Sequence, residues 1–291
     1  MNILISVNKQ YIDKARTMLL SLSLQVNENV TVYLMNHSLN DDAVADLKKY
    51  LENKCNFNFV EIDVKKTALD NLPVYLHMSI ETYYRLLAQF LLPASVDRIL
   101  WLDADIIILK DITDFYYQDF AGKLLVGCPD VNYNRKDILE IKEKIGISKQ
   151  HIYFNAGVIL FNLEQLRTET SEKEIVKTCQ KLQSKVVYMD QDILNYLYQN
   201  KIKYENSEKF NFQLTNKHSI DEMNIDEIHI LHYSGPRKPW NYKDLNRSSK
   251  HYWNIRIKQG YILEYLKVIF SSFAYRVIGK IKRFFKKKSS I

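Results

Sequence analysis

The stretch Ile99-Leu100-Trp101-Leu102-Asp103-Ala104-Asp105 runs from four apolar side chains straight into two carboxylates two positions apart. An apolar run of this kind reads as a strand covered on both faces, as in parallel sheets. Alternate side chains of a strand point the same way, so Asp103 and Asp105 are expected to converge at its end. Two like charges held together at a sheet core are costly unless a cation neutralises them. A divalent metal meets that need. Hard carboxylate oxygens suit Mg2+ or Mn2+, and such ions commonly complete their shell with substrate phosphates. Ligands of open α/β sheets also bind beyond the carboxyl ends of strands, which favours a functional pair over two exposed acids capping a turn.

The segments before this strand alternate. Ile3 to Val7, Val30 to Met35 and Phe57 to Ile62 read as strands, and Ile12 to Leu24 and Asp41 to Leu51 carry helical spacing. This β-α-β-α-β order argues for an open parallel sheet covered by helices. Ser79 to Leu92 reads as a further helix, closed off by Pro93. Ile106 to Leu109, Tyr153 to Leu163 and Ile228 to Tyr233 supply later extended pieces. The seven glycines form neither G-x-G-x-x-G nor G-x-x-x-x-G-K, so a bound nucleotide would rely on a metal and basic side chains rather than a glycine-rich loop.

A chain of 291 residues with 46% hydrophobic and 26% charged residues can bury a full core. Its net charge of +7 is localised. Arg276, Lys280, Lys282, Arg283, Lys286, Lys287 and Lys288 account for all of it, and no acid follows Glu264. The rest of the chain is formally neutral, which removes the case for a nucleic-acid groove. From about Tyr261, residues Leu266, Ile269, Phe270, Phe273, Val277, Ile281 and Phe284 recur at helical spacing among bases. That is the pattern of an interfacial helix on an anionic membrane, with a docked C-terminal helix as the alternative. The expected division is a catalytic domain over 1–258 and a basic amphipathic tail over 259–291. Cys55, Cys128 and Cys179 are odd in number and widely spaced, which argues against a disulfide framework and for a reducing, cytoplasmic setting. The chain opens directly as a strand without signal-peptide character, and no apolar span approaches the roughly 18 residues of a membrane-crossing helix.

Three further segments carry chemistry. In Leu231-His232-Tyr233-Ser234-Gly235-Pro236-Arg237-Lys238-Pro239-Trp240, a histidine ending an apolar strand could reach a metal, and the bases could reach phosphates. His229 would point to the opposite face. In Tyr153-Phe154-Asn155-Ala156-Gly157, the small residues permit close approach by a ligand, or mark a β-bulge. In Tyr188-Met189-Asp190-Gln191-Asp192, Asp190 could cap the helix that follows.

Taken in order, these segments resemble glycosyltransferase family 8, the retaining enzymes similar to the bacterial galactosyltransferase of lipooligosaccharide synthesis. The resemblance rests on the opening strand with Tyr11, on His77-Met78-Ser79 through Thr82 and Arg85, and on Leu102-Asp103-Ala104-Asp105. It continues through Asp130, Phe154-Asn155-Ala156-Gly157, Met189-Asp190-Gln191-Asp192 and His232 to Trp240. The resemblance implies a GT-A fold: an α/β, Rossmann-like open mixed sheet flanked by helices. It also implies that Asp103, Asp105 and His232 ligate Mn2+, or Mg2+, and that the donor is a UDP-sugar. Val7, Asn8 and Tyr11 would meet the uridine, with Ala104 and Arg85 near the donor. Gly235 and Lys238 would hold the diphosphate. Asp130, Asn155, Ala156, Gly157, Asp190 and Gln191 would surround the sugar, with Asp130, Asp190 and Gln191 at the reacting centre. Where family members often carry an acidic pair before the tyrosine, this chain has Asn8-Lys9-Gln10, so the Asn8 carbonyl would accept from uracil N3–H and its amide would donate. The implied activity is transfer of galactose or glucose to a glycan or lipid-linked saccharide, in an α linkage, at the inner face of the cell membrane. Two other readings share these residues: a catalytically silent, membrane-associated sugar-nucleotide binding protein, and a metal-dependent phosphohydrolase.

Overall fold

The computed structural model describes residues 1–64, 80–215 and 224–288, with the backbone alone given for 283–288. Strands β1 (Asn2–Ile5), β2 (Thr31–Asn36) and β3 (Asn58–Asp63) alternate with helices Ile12–Ser23 and Asp41–Tyr50, the latter prolonged by a π-turn over Leu51–Cys55. The apolar run becomes β4 (Arg98–Leu102), and a turn through Asp103 to Asp105 leads into β5 (Ile106–Ile108). Then come β6 (Leu125–Pro129), β7 (Phe154–Asn162), β8 (Ile202–Tyr204), β9 (Phe212–Gln213) and β10 (Ile230–His232).

Among the described residues the main sheet has the order β3-β2-β1-β4-β7-β6-β8. β1 pairs in parallel with β2 and β4, and β2 with β3. β7 runs antiparallel to both β4 and β6. The parallel pairing expected from the opening alternation therefore runs from β3 to β4 and recurs between β6 and β8, while β7 runs against its neighbours and makes the sheet mixed. The reason is that every residue of β7 is buried, and a strand apolar on both faces carries no signal of direction. One apolar cluster covers each face of this sheet. Leu4, Trp101, Ile159 and Phe161 lie in one, and Ile3, Leu100, Val158 and Leu160 in the other.

The turn after β4 is positioned from two sides. Asp103 N–H donates to Gly157 O at 2.9 Å, which ties the turn to β7. A small second sheet, ordered β5-β10-β9, pairs His232 antiparallel with Ile106, the residue that follows Asp105.

Two expectations need correction. The helix read over Ser79 to Leu92 is a 3-10 segment, Ile80–Leu87, followed by a single α-turn, Ala88–Leu91; Ser79 lies outside the described residues. Tyr83 through Gln89 are all buried, so the segment is enclosed rather than amphipathic, and tertiary packing overrides the helical spacing. Asp103 and Asp105 sit in the turn beyond β4, so they converge through turn geometry and not through strand alternation. The chain forms two compact units. One unit comprises Met1–Gln213 with Asp226–His232, and the other is formed chiefly by the chain from Tyr233 onward. Within that second unit Tyr233 Oη donates to Ser248 O at 2.7 Å and Trp253 Nε1 to Pro239 O at 2.9 Å. Trp253 also packs on Tyr265 with ring centroids 5.1 Å apart, and Arg256 pairs with Glu264. The residues before 258 are thus knitted to the start of the C-terminal helix, Ile262–Lys288.

Candidate active site

Asp103, Asp105 and His232 each offer a ligand atom within 4.8 Å of the others. His232 is buried and its Nε2 lies 3.4 Å from Asp105 Oδ1 and 3.9 Å from Asp103 Oδ2. The two carboxylates keep 12% and 29% of their side-chain surface, so the cluster can be reached from solvent. Gly157 makes this approach possible. A Cβ there would collide with His232 Cε1 and come within 2.9 Å of its Nδ1 and 3.0 Å of Asp103 Oδ2. The small residues at 156 and 157 also face a register shift in β6, between Gly127 and Cys128. The bulge and the close approach are one feature.

Asp103 is held on its other oxygen. Trp101 Nε1 donates to Asp103 Oδ1 at 2.7 Å, and Arg85 Nη1 stands 3.3 Å from the same atom. Arg85 is buried, lies over the Trp101 ring at 4.0 Å and donates to Ala156 O (2.5 Å) and Thr82 O (3.1 Å). Its Nε is also 2.9 Å from Asp190 Oδ2, although the N–H is directed at Thr82. One guanidinium thus serves two carboxylates. Taken formally, Asp103, Asp105 and Asp190 with Arg85 leave two negative charges, which a divalent cation would balance. Burial pushes the Asp190 carboxyl up to about 6; Arg85 opposes the shift and Asp103 reinforces it.

Asp190 begins the helix Asp190–Leu197 without capping it; Met189, at φ +47°, occupies the capping position. Gln191 Oε1 accepts from Ala156 N–H (2.9 Å) and Asn155 Nδ2 (3.3 Å), while its Nε2 donates to Asp130 Oδ2 (3.4 Å). Asn155 Nδ2 also donates to Asp130 Oδ2 at 3.3 Å, and Asp130 Oδ1 accepts from Asn132 N–H at 2.8 Å. Arg85, Asp103, Asp105, Asp130, Asn155, Ala156, Gly157, Asp190, Gln191 and His232 therefore form one connected set.

The remaining expected residues are placed elsewhere. Val7, Asn8 and Tyr11 follow β1, which is parallel to β4, so they share the carboxyl edge of the sheet with Asp103. Ala104 lies between the two acids. Asn8 Oδ1 accepts from Gln10 N–H (3.0 Å) and Tyr11 N–H (3.3 Å), so the acceptor expected for uracil N3–H is engaged in a turn and the amide N–H2 is left as the donor. Gly235, at φ +80°, and Lys238, whose Nζ donates to Tyr233 O at 2.8 Å, belong to the second unit. His77, Met78 and Ser79 lie outside the described residues. His229 bonds to Asp111 O and not to the carboxylate cluster, as its opposite face requires. Two contributors went unread in the sequence. Trp101 could have been found, since a buried indole N–H needs an acceptor. Asn211, fully buried, gave no local signal.

The family model for glycosyl transferase family 8 matches residues 2–244. The chain belongs to glycosyltransferase family 8. Among its relatives is the lipopolysaccharide 1,2-glucosyltransferase of Escherichia coli K12, 24% identical over 262 residues, with 87% of this chain and 76% of that protein covered. The lipopolysaccharide 1,3-galactosyltransferase of Salmonella typhimurium is 26% identical over 181 residues, 59% of this chain and 52% of that protein. Among solved structures, the galactosyltransferase LgtC in complex with donor and acceptor sugar analogs superposes with a TM-score of 0.77 at 25% identity, over 88% of this chain and 95% of that one. This family 8 chain is therefore a glycosyltransferase built on the GT-A sheet.

Proposed function

We propose that this glycosyltransferase moves galactose or glucose from a UDP-sugar to a saccharide or lipid-linked glycan with retention, forming an α linkage. The observation that carries the reading is the meeting of Asp103, Asp105 and His232 beside Gly157 in a family 8 chain. The mixed carboxylate and imidazole set suits Mn2+, with Mg2+ as the alternative. When bound, that ion would neutralise charge developing on the departing diphosphate.

The chain's own residues do the rest. Arg85 holds Asp103 and Asp190 in place. Asp130, Asn155, Asp190 and Gln191 bind the sugar hydroxyls, with Asp190 Oδ2 already paired to Arg85 Nε at 2.9 Å. Gly235 and Lys238 are assigned to the diphosphate by sequence position alone. Tyr11 and the Asn8 amide are assigned to the base. Both lone pairs of Gln191 Oε1 are engaged by Asn155 and Ala156, which disfavours it as a nucleophile. That supports attack on the face from which the diphosphate leaves, with a phosphate oxygen taking the acceptor's proton. Assay of UDP-, GDP- and TDP-sugars for Mn2+-dependent turnover tests the reading. Sugar transfer from a UDP-hexose is expected. Donor binding without turnover would point to a silent binding protein, and phosphate release from simple esters to a phosphohydrolase.

The C-terminal helix supports contact with an anionic membrane. Leu263, Leu266, Phe270, Phe273, Val277 and Ile281 share one face by helical periodicity and are exposed, Phe270 and Phe273 by 70% and 68%. Tyr265, buried Ser272 and Arg276 lie on the opposite face; there Tyr265 packs on Trp253 and Arg276 donates to Leu245 O at 2.5 Å. No helix among the described residues is long and apolar enough to cross a membrane. The helix would therefore lie in the interface, at the cytoplasmic face, with Lys280 and Lys282 toward the headgroups. Because Tyr265 and Glu264 are docked, the informative truncation removes 268–291. It should abolish sedimentation with anionic vesicles and spare donor hydrolysis; unchanged sedimentation would defeat the assignment.

A further inference from the structure

We propose that Asn211 is a positioning residue that sets the tautomer of His232 and thereby couples the metal-binding trio to the sugar-binding amides, an inference that rests on the reading of the trio as a metal site. The chain of hydrogen bonds has a direction. Asp130 is a carboxylate and can only accept, so Asn155 must turn its Nδ2 toward Asp130 Oδ2, at 3.3 Å. Its Oδ1 then faces the other way, where Gly157 N–H independently donates to it at 3.0 Å. Asn211 Nδ2 donates to that same Oδ1 at 3.0 Å. The Asn211 amide is thereby oriented, and its Oδ1 is the atom left facing His232 Nδ1, at 2.9 Å. An oxygen at that distance requires a proton on Nδ1. The lone pair of the imidazole is then on Nε2, the nitrogen that faces Asp103 and Asp105.

No water is needed along this path, since Asn155, Asn211 and His232 are all buried. The path also closes on itself. From Asn155 it passes to Gln191, from Gln191 to the Ala156 backbone, from the Ala156 carbonyl to Arg85, and from Arg85 to Asp103, which faces His232. A shift of the sugar-binding amides would be felt at the imidazole through Asn211 and at the carboxylate through Arg85. Partners that orient a ligating imidazole are typically worth about 10- to 100-fold in metal affinity.

The test uses the full chain. Ring nitrogen-15 shifts of His232 in metal-free protein read the ring directly, without any substitution; a protonated Nδ1 is expected. Titration with Mn2+ alone, followed by electron paramagnetic resonance of the free ion, gives the affinity. Asn211→Leu should weaken it about 10- to 100-fold while the far-ultraviolet circular dichroism is unchanged. Asn211→Asp, which still accepts from Nδ1–H, should retain the parental tautomer and recover most of the affinity. A bare Nδ1 in the parent protein, or parental Mn2+ affinity in folded Asn211→Leu, would overturn the inference and leave the metal site standing. Failure of the parent protein to bind Mn2+ would instead sink the reading of the trio. If Asn211→Leu does not fold, the parent spectrum and the Asn211→Asp titration still decide.

Discussion

Asp103-Ala104-Asp105 and Asp190-Gln191-Asp192 have the same spacing and the same composition of acids, on different backbones. The first pair sits in the turn between β4 and β5, where both carboxylates reach His232. The second opens a helix, where residues two apart face different ways. Asp190 turns to Arg85. Asp192, fully buried, accepts from Val187 N–H (2.6 Å), Tyr188 N–H (2.8 Å) and Tyr153 Oη (2.5 Å). Those bonds pin the segment on either side of Met189, whose φ of +47° is unfavourable for a residue with a side chain. Spacing therefore identifies a carboxylate pair, but the backbone beneath it decides whether the pair acts as one group or splits into an ion-pair partner of Arg85 and a structural clamp.

The comparison can be broken at either end. The largest effect is expected for Asp105→Asn, which removes one of the paired acids: metal-dependent turnover should fall on the order of a thousandfold with the fold intact, because the cation that would stabilise the developing diphosphate charge loses one of its carboxylates. A loss of less than tenfold, measured at saturating donor, would mean that Asp105 is not part of the site. Asp192→Ala should act on stability instead. It strands one buried and two part-buried donors, for a loss of roughly 3 kcal/mol in urea unfolding. An unchanged midpoint would deny Asp192 its clamping role.

Asp190→Asn probes the split itself. In the folded protein the Asp190 pKa is raised to about 6 from 3.8, so its protonated form is favoured by folding. The associated stability is fully present below pH 4 and is lost as pH rises through 6, amounting to at most about 3 kcal/mol. Metal-free parent protein should thus lose stability relative to Asp190→Asn between pH 4 and pH 8, and a flat difference would contradict the burial of this charge. The smallest effect is expected for Gly157→Ala, whose Cβ must displace His232: Mn2+ affinity should drop about 10- to 100-fold, comparable to loss of an orienting partner. Parental affinity there would show that the imidazole does not need its present position.

Much of this was legible before the structure. The apolar run into Asp103 and Asp105, the alternation of the first three strands and the separation of His229 from His232 by face all follow from local periodicity. The helical spacing after Tyr261 is local too. Arg85, Asp130, Asn155, Asp190 and Gln191 were named only through the family pattern, since nothing in their neighbours distinguishes a site residue from a surface one. The helix over Ser79 to Leu92 was legible as a helix, but its 3-10 winding over Ile80–Leu87 was not.

By itself the sequence determined the strands with their apolar faces, the carboxylate pair and the neutral body with its basic end, because each is a property of neighbours along the chain. Only the tertiary structure decided that β7 runs against β4, that β10 pairs with β5 to deliver His232 beside Asp105, and that Asn211 bonds His232 from behind. It also decided that the chain from Tyr233 onward folds together with the start of the last helix. Those outcomes depend on which distant segments pair and in what register, and local periodicity carries no information about a partner more than a hundred residues away.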